Sequence, residues 1–264
     1  MAGADRALDR AAMDEDRLYR DAALAAFYDL DNGWTAADDF SLAMAADAGS
    51  VLDLGCGTGL LAAALAQGRS VTGVDPATAM LDIARGRPGG DRVEWVEADA
   101  RTVRLGRAFD LVLLAGHAFQ VFLTCADRRA VLDTIAAHLA PGGRFVFDSR
   151  NPTVEEWREW TPERARWEVQ HPVHGRVEAW NDVAFDPGTR IATYETHYGL
   201  PDGAHLSAVS RIAFPGRDEL AALIDEAGLA VERWHGDWQG GDWRPDAPEI
   251  IPVGRLRRAD RHAA

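Results

Sequence analysis

Apolar residues follow two different rhythms along this chain, and the change comes near residue 150. Before it, short runs rich in valine and leucine, at Ser50 to Leu54, Ser70 to Asp75, Val93 to Val96, Phe109 to Leu114 and Gly143 to Asp148, alternate with stretches at Leu60 to Gln67, Thr78 to Arg85 and Ala126 to Leu139. In the last of these, Val131, Leu132, Ile135 and Leu139 recur at helical spacing. Unbroken apolar runs suit strands covered on both faces, and the helical stretches between them supply the crossovers that parallel strands require. Residues 51–150 are therefore predicted to be βα units on a parallel sheet, with Pro141-Gly142-Gly143 ending the third helix and turning the chain into the fifth strand.

Beyond residue 150 polar and apolar side chains alternate singly, over Arg176 to Phe185, Arg190 to Tyr198 and His205 to Phe214, with Asp186-Pro187-Gly188 and Pro201-Asp202-Gly203 between the runs. Period-two alternation turns one face of a strand toward a core, and these tripeptides are hairpin-turn chemistry, so an antiparallel unit is predicted. A helix from Asp218 to Ala227, closed by Gly228, precedes two last strands at Leu229 to His235 and Glu249 to Leu256. The chain thus divides into a helical segment at 1–50, a ligand-binding core at 51–150, an antiparallel insertion at 151–214, and a helix with a strand pair at 215–264 that completes the core sheet.

Composition narrows the classes of function. With 47% apolar residues the 264-residue chain can bury a sizeable core, and 28 basic against 42 acidic side chains give a formal charge of −14. That charge repels both a nucleic-acid backbone and an anionic membrane surface, so neither is expected as a partner. Every basic residue is an arginine, which removes Schiff-base lysine chemistry. Cys56 and Cys125 make no disulfide scaffold and no zinc spacing with the histidines, so no metal is expected. No apolar run reaches membrane-spanning length and the N-terminus carries acids instead of an apolar signal core, which points to a cytoplasmic protein.

The strand Val51 to Leu54 runs into Gly55-Cys56-Gly57-Thr58-Gly59 and then a helix, an order in which glycines let a nucleotide-like ligand approach the carboxyl edge of a sheet. The spacing is G-x-G-x-G, with Leu60 where a dinucleotide fingerprint ends in glycine, and Asp53 stands two residues before the loop. Asp75 closes the second strand in Gly73-Val74-Asp75-Pro76, 20 residues after Gly55, where a carboxylate meets ribose hydroxyls. The third strand ends in Glu97-Ala98-Asp99-Ala100. A carboxylate there is placed to accept an adenine's amino group, with Met80 and Ala100 flanking the ring.

Together with Phe109-Asp110-Leu111-Val112-Leu113 and Leu139-Ala140-Pro141-Gly142-Gly143, these motifs resemble those of the class I S-adenosylmethionine-dependent methyltransferases, in order and spacing, over about residues 20 to 150. The resemblance implies a Rossmann-like α/β fold with a seven-stranded sheet, helices on both faces, and S-adenosylmethionine as cofactor. It places Gly55 and Gly57 beneath the methionine portion, with Cys56 a small filler between them; Asp75, followed by Pro76, holds the ribose, and Asp99 with Ala100 holds the adenine. Asp53 orders the loop or contacts the ammonium through water. Ala115-Gly116-His117 lies beside the amino-acid end, where a backbone carbonyl accepts from that ammonium. Tyr28 and Trp34 fall in a segment that folds over the cofactor as a lid in related enzymes; alternatively they only cover the edge of the core.

Methyl transfer from a sulfonium is an in-line displacement at an activated carbon, so alignment and exclusion of water are the main demands. The acceptor implied is a nitrogen or oxygen of a small organic molecule. His117 is the candidate catalytic residue, as a base facing that acceptor, against a purely structural hydrogen-bonded role. Ala115 to Gln120 reads AGHAFQ and lacks the asparagine-proline-aromatic motif of many nucleic-acid and protein amino-methyltransferases, and the acid cluster of a magnesium-dependent catechol methyltransferase is not recognisable. Seven of nine tryptophans follow residue 150. They suit a ring-containing acceptor, internal packing or a subunit contact, so a homodimer stays open. The rival readings are an NAD-linked oxidoreductase, motivated by the glycine loop and Asp75, and a non-catalytic cofactor-binding module.

Overall fold

The runs read as buried strands form one mostly parallel sheet in the computed structural model, which describes residues 17–257. The part of the predicted helical segment before Arg17 and the last seven residues of the predicted closing unit lie outside the described residues. Strands β1 (Ser50–Leu54), β2 (Ser70–Asp75), β3 (Val93–Glu97), β4 (Phe109–Leu114) and β5 (Leu139–Phe147) pair in parallel in the order β3-β2-β1-β4-β5. The last two strands of the chain, β11 (Leu229–His235) and β12 (Glu249–Leu256), extend the sheet beyond β5, with β12 inserted antiparallel between β5 and β11. A two-residue strand, β6 (Ser149–Arg150), pairs with the start of β12 through Glu249↔Arg150. Because β12 runs against its neighbours, its amino end lies at the carboxyl edge of the parallel strands.

Alternation along each strand divides the core into two layers. Leu52, Leu54, Val112, Leu114, Phe145 and Phe147 pack on one side with Val131, Leu132 and Ile135 of α7 (Cys125–His138) and Leu220 and Ile224 of α8 (Arg217–Glu226). Val51, Leu111, Leu113 and Val146 face the other side, against Phe40 of α4 (Ala36–Met44) and Leu61 and Leu65 of α5 (Leu60–Leu65). The sixth helix, α6 (Thr78–Gly86), contributes Met80, Leu81 and Ala84 as buried residues.

The alternating segment is a second, wholly antiparallel sheet in the order β10-β9-β8-β7, formed by β7 (Arg166–His171), β8 (Gly175–Asp186), β9 (Ile191–Gly199) and β10 (His205–Ala213). Short helices α1 (Arg17–Arg20), α2 (Ala22–Ala25) and α3 (Tyr28–Asp31) lead toward it, and Leu24 and Phe27 pack against Val169, Val177, Ala179 and Tyr198 of its strands. Gln120 ties the two sheets together from the loop after β4: its Nε2 donates to the carbonyl of Ala213, and its Oε1 accepts from Arg150 Nη1 at 3.1 Å.

Two sequence expectations need correction. Strand β7 is absent from the reading, because an edge strand with only Val169 and His171 buried carries too little apolar signal. The third helix stops at His138, before the Pro-Gly-Gly turn, and β5 starts at Leu139, which pairs with Phe109. The reason is local. The imidazole of His138 is engaged by the main chain on both sides, its Nε2 accepting from the amide of Leu105 and its Nδ1 donating to the carbonyl of Thr134.

Candidate active site

A cavity of about 420 Å³ opens at the carboxyl edge of β1 to β3, lined by Gly55, Gly57, Asp75, Pro76, Met80, Asp99 and Ala100 together with Tyr19, Arg20, Tyr28 and the loop after β4. Its floor depends on backbone conformation. Gly55, Gly57 and Gly59 all have positive φ, and a Cβ on Gly59 would lie 2.4 Å from the indole of Trp95. The third glycine is therefore fixed by packing against β3. Tyr28 lies over Gly57, with its ring 3.8 Å from where a Cβ there would be.

Asp75 is locked by two main-chain donors, the amides of Gly57 at 2.9 Å and Ala77 at 2.8 Å, and burial raises its pKa. Each oxygen keeps a lone pair for a further donor. Asp99 differs. Arg101, two residues on, donates to its carboxylate from the guanidinium and the amide and holds its pKa below the usual range, while reaching Asp127 at 2.7 Å. Asp53 is buried behind the loop, and burial, with Asp75 and Asp38 nearby, pushes its pKa up to about 7.

Other expected residues stand back from this space. Cys56 lies against Gly73, its Sγ 3.0 Å from where a Cβ there would be, and burial pushes its thiol well above its ordinary pKa. Ala115 and Gly116 are not among the lining residues, although Leu114 and Ala118 on either side of them are. Trp34 stands farther off: the residue is 43% exposed, its indole donates to Asp39 at 2.8 Å, and it is not among the lining residues.

A second cavity of about 370 Å³ shares Tyr19, Tyr28 and Val121 with the first and lies beneath the antiparallel sheet. Tyr194, Thr196 and Tyr198, alternate residues of β9, face it with Trp160, Trp167, Asn181, Arg150, Asp31 and His117. Burial raises the pKa of Asp31, whose carboxylate accepts hydrogen bonds from Tyr198 and from Trp167 Nε1. Arg150 stacks over Trp160, 5.1 Å from the ring centre, and pairs with Glu156.

His117 sits in the left-handed region at φ 61°, with its amide donating to Asp148 Oδ2 at 2.7 Å. Its Nε2 lies 3.0 and 3.1 Å from the two oxygens of Glu249 and 3.3 Å from Asp148 Oδ2. Burial, with Glu249 beside it, pushes the Asp148 carboxyl up to about 6 against the opposing pull of His117. Among the described residues these three are the one group of histidine, cysteine and acidic side chains close enough to hold a metal ion, with donor atoms within 4.8 Å of one another. The sequence expectation of no metal rested on spacing along the chain, which does not register a set drawn from residues 117, 148 and 249.

Asp148 and Glu249 were missed as site residues. Asp148 carried a usable signal, an acid at the carboxyl end of an apolar strand. Glu249 carried none, since it opens a strand and reaches the site only because β12 is antiparallel.

Residues 51–143 match the family model described as "Methyltransferase domain". Cypemycin N-terminal methyltransferase from a Streptomyces species is 37% identical over 107 residues, covering 40% of this chain and 44% of that protein. The chain thus spans less than half the length of the first curated relatives it matches. A dTDP-3-amino-3,6-dideoxy-alpha-D-glucopyranose N,N-dimethyltransferase from Streptomyces fradiae is 32% identical over 70% of this chain and 71% of its own. Among solved structures, an amino pentose methyltransferase from Micromonospora echinaspora, with S-adenosylmethionine bound, superposes with a TM-score of 0.62 at 27% identity over 85% of this chain and 93% of its own. No helix among the described residues is long and apolar enough to cross a membrane.

Proposed function

This chain belongs to the class I S-adenosylmethionine-dependent methyltransferases, and on that premise we propose that it transfers the methyl group of S-adenosylmethionine to an amino nitrogen of a small organic acceptor. The observation that carries the reading is the junction of the two cavities at Tyr19, Tyr28 and Val121. One side offers the glycine loop, Asp75, Met80 and Asp99 to an adenosyl group. The other offers aromatic walls, the polar side chains of Asn181 and Thr196, the charged groups of Asp31 and Arg150, and His117 to an acceptor. An in-line displacement needs donor and acceptor to approach through one shared opening from opposite sides, shielded from water.

In this reading Asp75 accepts from the ribose hydroxyls and Met80 and Ala100 flank the adenine, while Asp99, already engaged by Arg101, offers its remaining lone pairs to the amino group. Asp75, which lines the cavity, offers a carboxylate to a cofactor that is cationic at both sulfur and ammonium. The insertion at 151–214 roofs the acceptor. When bound, the cofactor would supply an activated methyl group to the nitrogen's lone pair and would leave as a neutral thioether with the C–S electron pair; His117 would take the proton that the acceptor nitrogen loses. The Streptomyces fradiae relative, an amino-sugar N,N-dimethyltransferase covered more fully than the cypemycin enzyme, favours nitrogen over oxygen.

Calorimetry with S-adenosylmethionine, its demethylated product and NAD, followed by a labelled-methyl screen of amines, phenols and carboxylic acids, tests this. Binding of the first two and N-methyl products are expected. Binding of NAD alone, or label found only on oxygen, overturns it.

A further inference from the structure

The geometry points to Glu249 as the residue that positions His117 for proton transfer, by holding its Nε2 as the protonated nitrogen and leaving Nδ1 to take the acceptor's proton. This rests on the proposed methyl transfer and names a part of the site that the cofactor motifs do not reach. Both oxygens of Glu249 lie at hydrogen-bonding distance from Nε2, at 3.0 and 3.1 Å, and Asp148 Oδ2 is the next neighbour at 3.3 Å. Ionised carboxylates only accept, so a nitrogen facing two of them must be the donor. Nδ1 makes no hydrogen bond among the described residues, and His117 lines the acceptor cavity. The tautomer with hydrogen on Nε2 and a lone pair on Nδ1 is therefore the one these contacts select.

The rest of the assembly resists rotation of the ring. Asp148 grips the backbone amide of His117 at 2.7 Å, which holds the left-handed turn in place, and the carboxylates of Asp148 and Glu249 are both buried. The backbone of Glu249 is itself fixed by strand pairing opposite Arg150 and by its amide donating a hydrogen bond to the carbonyl of Gly236. When Nδ1 takes the proton, the imidazolium forms between two negative groups already oriented toward it, the arrangement by which a buried carboxylate supports a histidine base elsewhere. The same three side chains could instead ligate a cation. The hydrogen-bond reading is preferred because one N–H at Nε2 can be shared between the two Glu249 oxygens, while Asp148 Oδ2 already accepts from the backbone amide of His117.

The test measures the ring and the rate separately. Nitrogen-15 NMR of the resting full-length protein should show His117 with a protonated Nε2 and an unprotonated Nδ1, and Glu249→Gln, which keeps size but loses charge, should weaken that preference. In turnover Glu249→Gln should lose ~10- to 100-fold in kcat with cofactor affinity within about twofold, and Glu249→Ala should lose more. The double variant His117→Ala/Glu249→Ala should be no slower than His117→Ala alone, since Glu249 acts through His117. A proton on Nδ1 in the resting state, or losses that add in the double variant, would overturn the assignment. So would a visible cobalt(II) spectrum that titrates to one equivalent and disappears in Glu249→Gln, which would make the cluster a metal site. Because the NMR result needs no substrate, failure of the tautomer assignment is distinguishable from failure of the methyl-transfer reading.

Discussion

The cavity proposed for the cofactor, the cofactor side, and the cavity proposed for the acceptor, the acceptor side, are built in different ways. The first takes Gly55, Gly57, Asp75 and Asp99 from residues 55 to 99, where three parallel strands end and strand order and turn chemistry set them, and is closed by Tyr19, Arg20, Tyr28, Thr124 and Asp127 from outside that stretch. The second takes side chains from residues as far apart as Leu18 and Ile212, supplied by short helices, the loop after β4 and the faces of β8 and β9. The match to the family model ends at residue 143, before the antiparallel sheet begins. A site held by main chain tolerates little change of shape, whereas a roof of side chains on a separate sheet can be recut without disturbing the sheet below.

The sharpest way to break this comparison is to truncate His117, which lines the second cavity alone. His117→Ala should lower kcat by about 10²- to 10⁴-fold while leaving affinity for S-adenosylmethionine within about twofold, because its side chain faces the acceptor cavity only. Equal damage to cofactor binding, read by calorimetry, would show that the two sides are one unit. Asp75→Ala probes the other half. Losing hydrogen bonds to two ribose hydroxyls should cost about 1.5 to 3 kcal/mol, or ~10- to 150-fold in cofactor affinity. Unchanged affinity in the folded variant would mean that Asp75 serves only to anchor the amides of Gly57 and Ala77.

The same division explains what could be read from the sequence. Strand ends at Leu54, Asp75 and Leu114 and the hairpins of the second sheet follow from local periodicity and turn residues, and the structure matches them to within a residue or two. The lining positions Asp75, Met80 and Asp99 were legible because a parallel strand of known end places its last residue at a known edge. Glu249 and the face formed by Tyr194, Thr196 and Tyr198 were not, since their meeting with His117 depends on how two sheets pack. Local pattern carries no such information. Trp34 differs in another way: an aromatic before a helix fits a lid, and in this structure an acid five residues on accepts its indole N–H.

Charge gives a smaller effect confined to the cofactor half. Asp53 has a folded-state pKa of about 7 against an ordinary 3.8, chiefly from burial. An acid raised in this way favours the fold only while protonated: its contribution is full below about pH 3.8 and is lost as pH rises through about 7. Asp53→Asn, which imitates the protonated form, should therefore stabilise the ligand-free protein at pH 8 by about 1–2 kcal/mol, a few degrees in Tm, and change little near pH 4. Thermal melts at the two pH values measure this. A gain that is the same at both would assign it to packing.

The smallest effect is expected at Trp34, and it decides where the cofactor side ends. The indole is 43% exposed and its polar contact is the bond from Nε1 to Asp39 at 2.8 Å. The adjoining start of α4 has its own capping box, with Thr35 accepting from the amide of Ala37 and Asp38 accepting from the amide of Thr35, so the helix does not depend on the indole. Trp34→Ala should cost about 0.5–1 kcal/mol of stability through the lost exposed hydrogen bond and its partial packing, and should leave cofactor affinity within about twofold. Tyr28 provides the contrast, because it lines both cavities and lies against Gly57. Tyr28→Ala should weaken both cofactor and acceptor binding, as read by calorimetry and by the acceptor KM. If Trp34→Ala instead weakened S-adenosylmethionine binding tenfold, the segment before β1 would have to close over the cofactor on binding, and the cofactor side would then share the acceptor side's dependence on side chains.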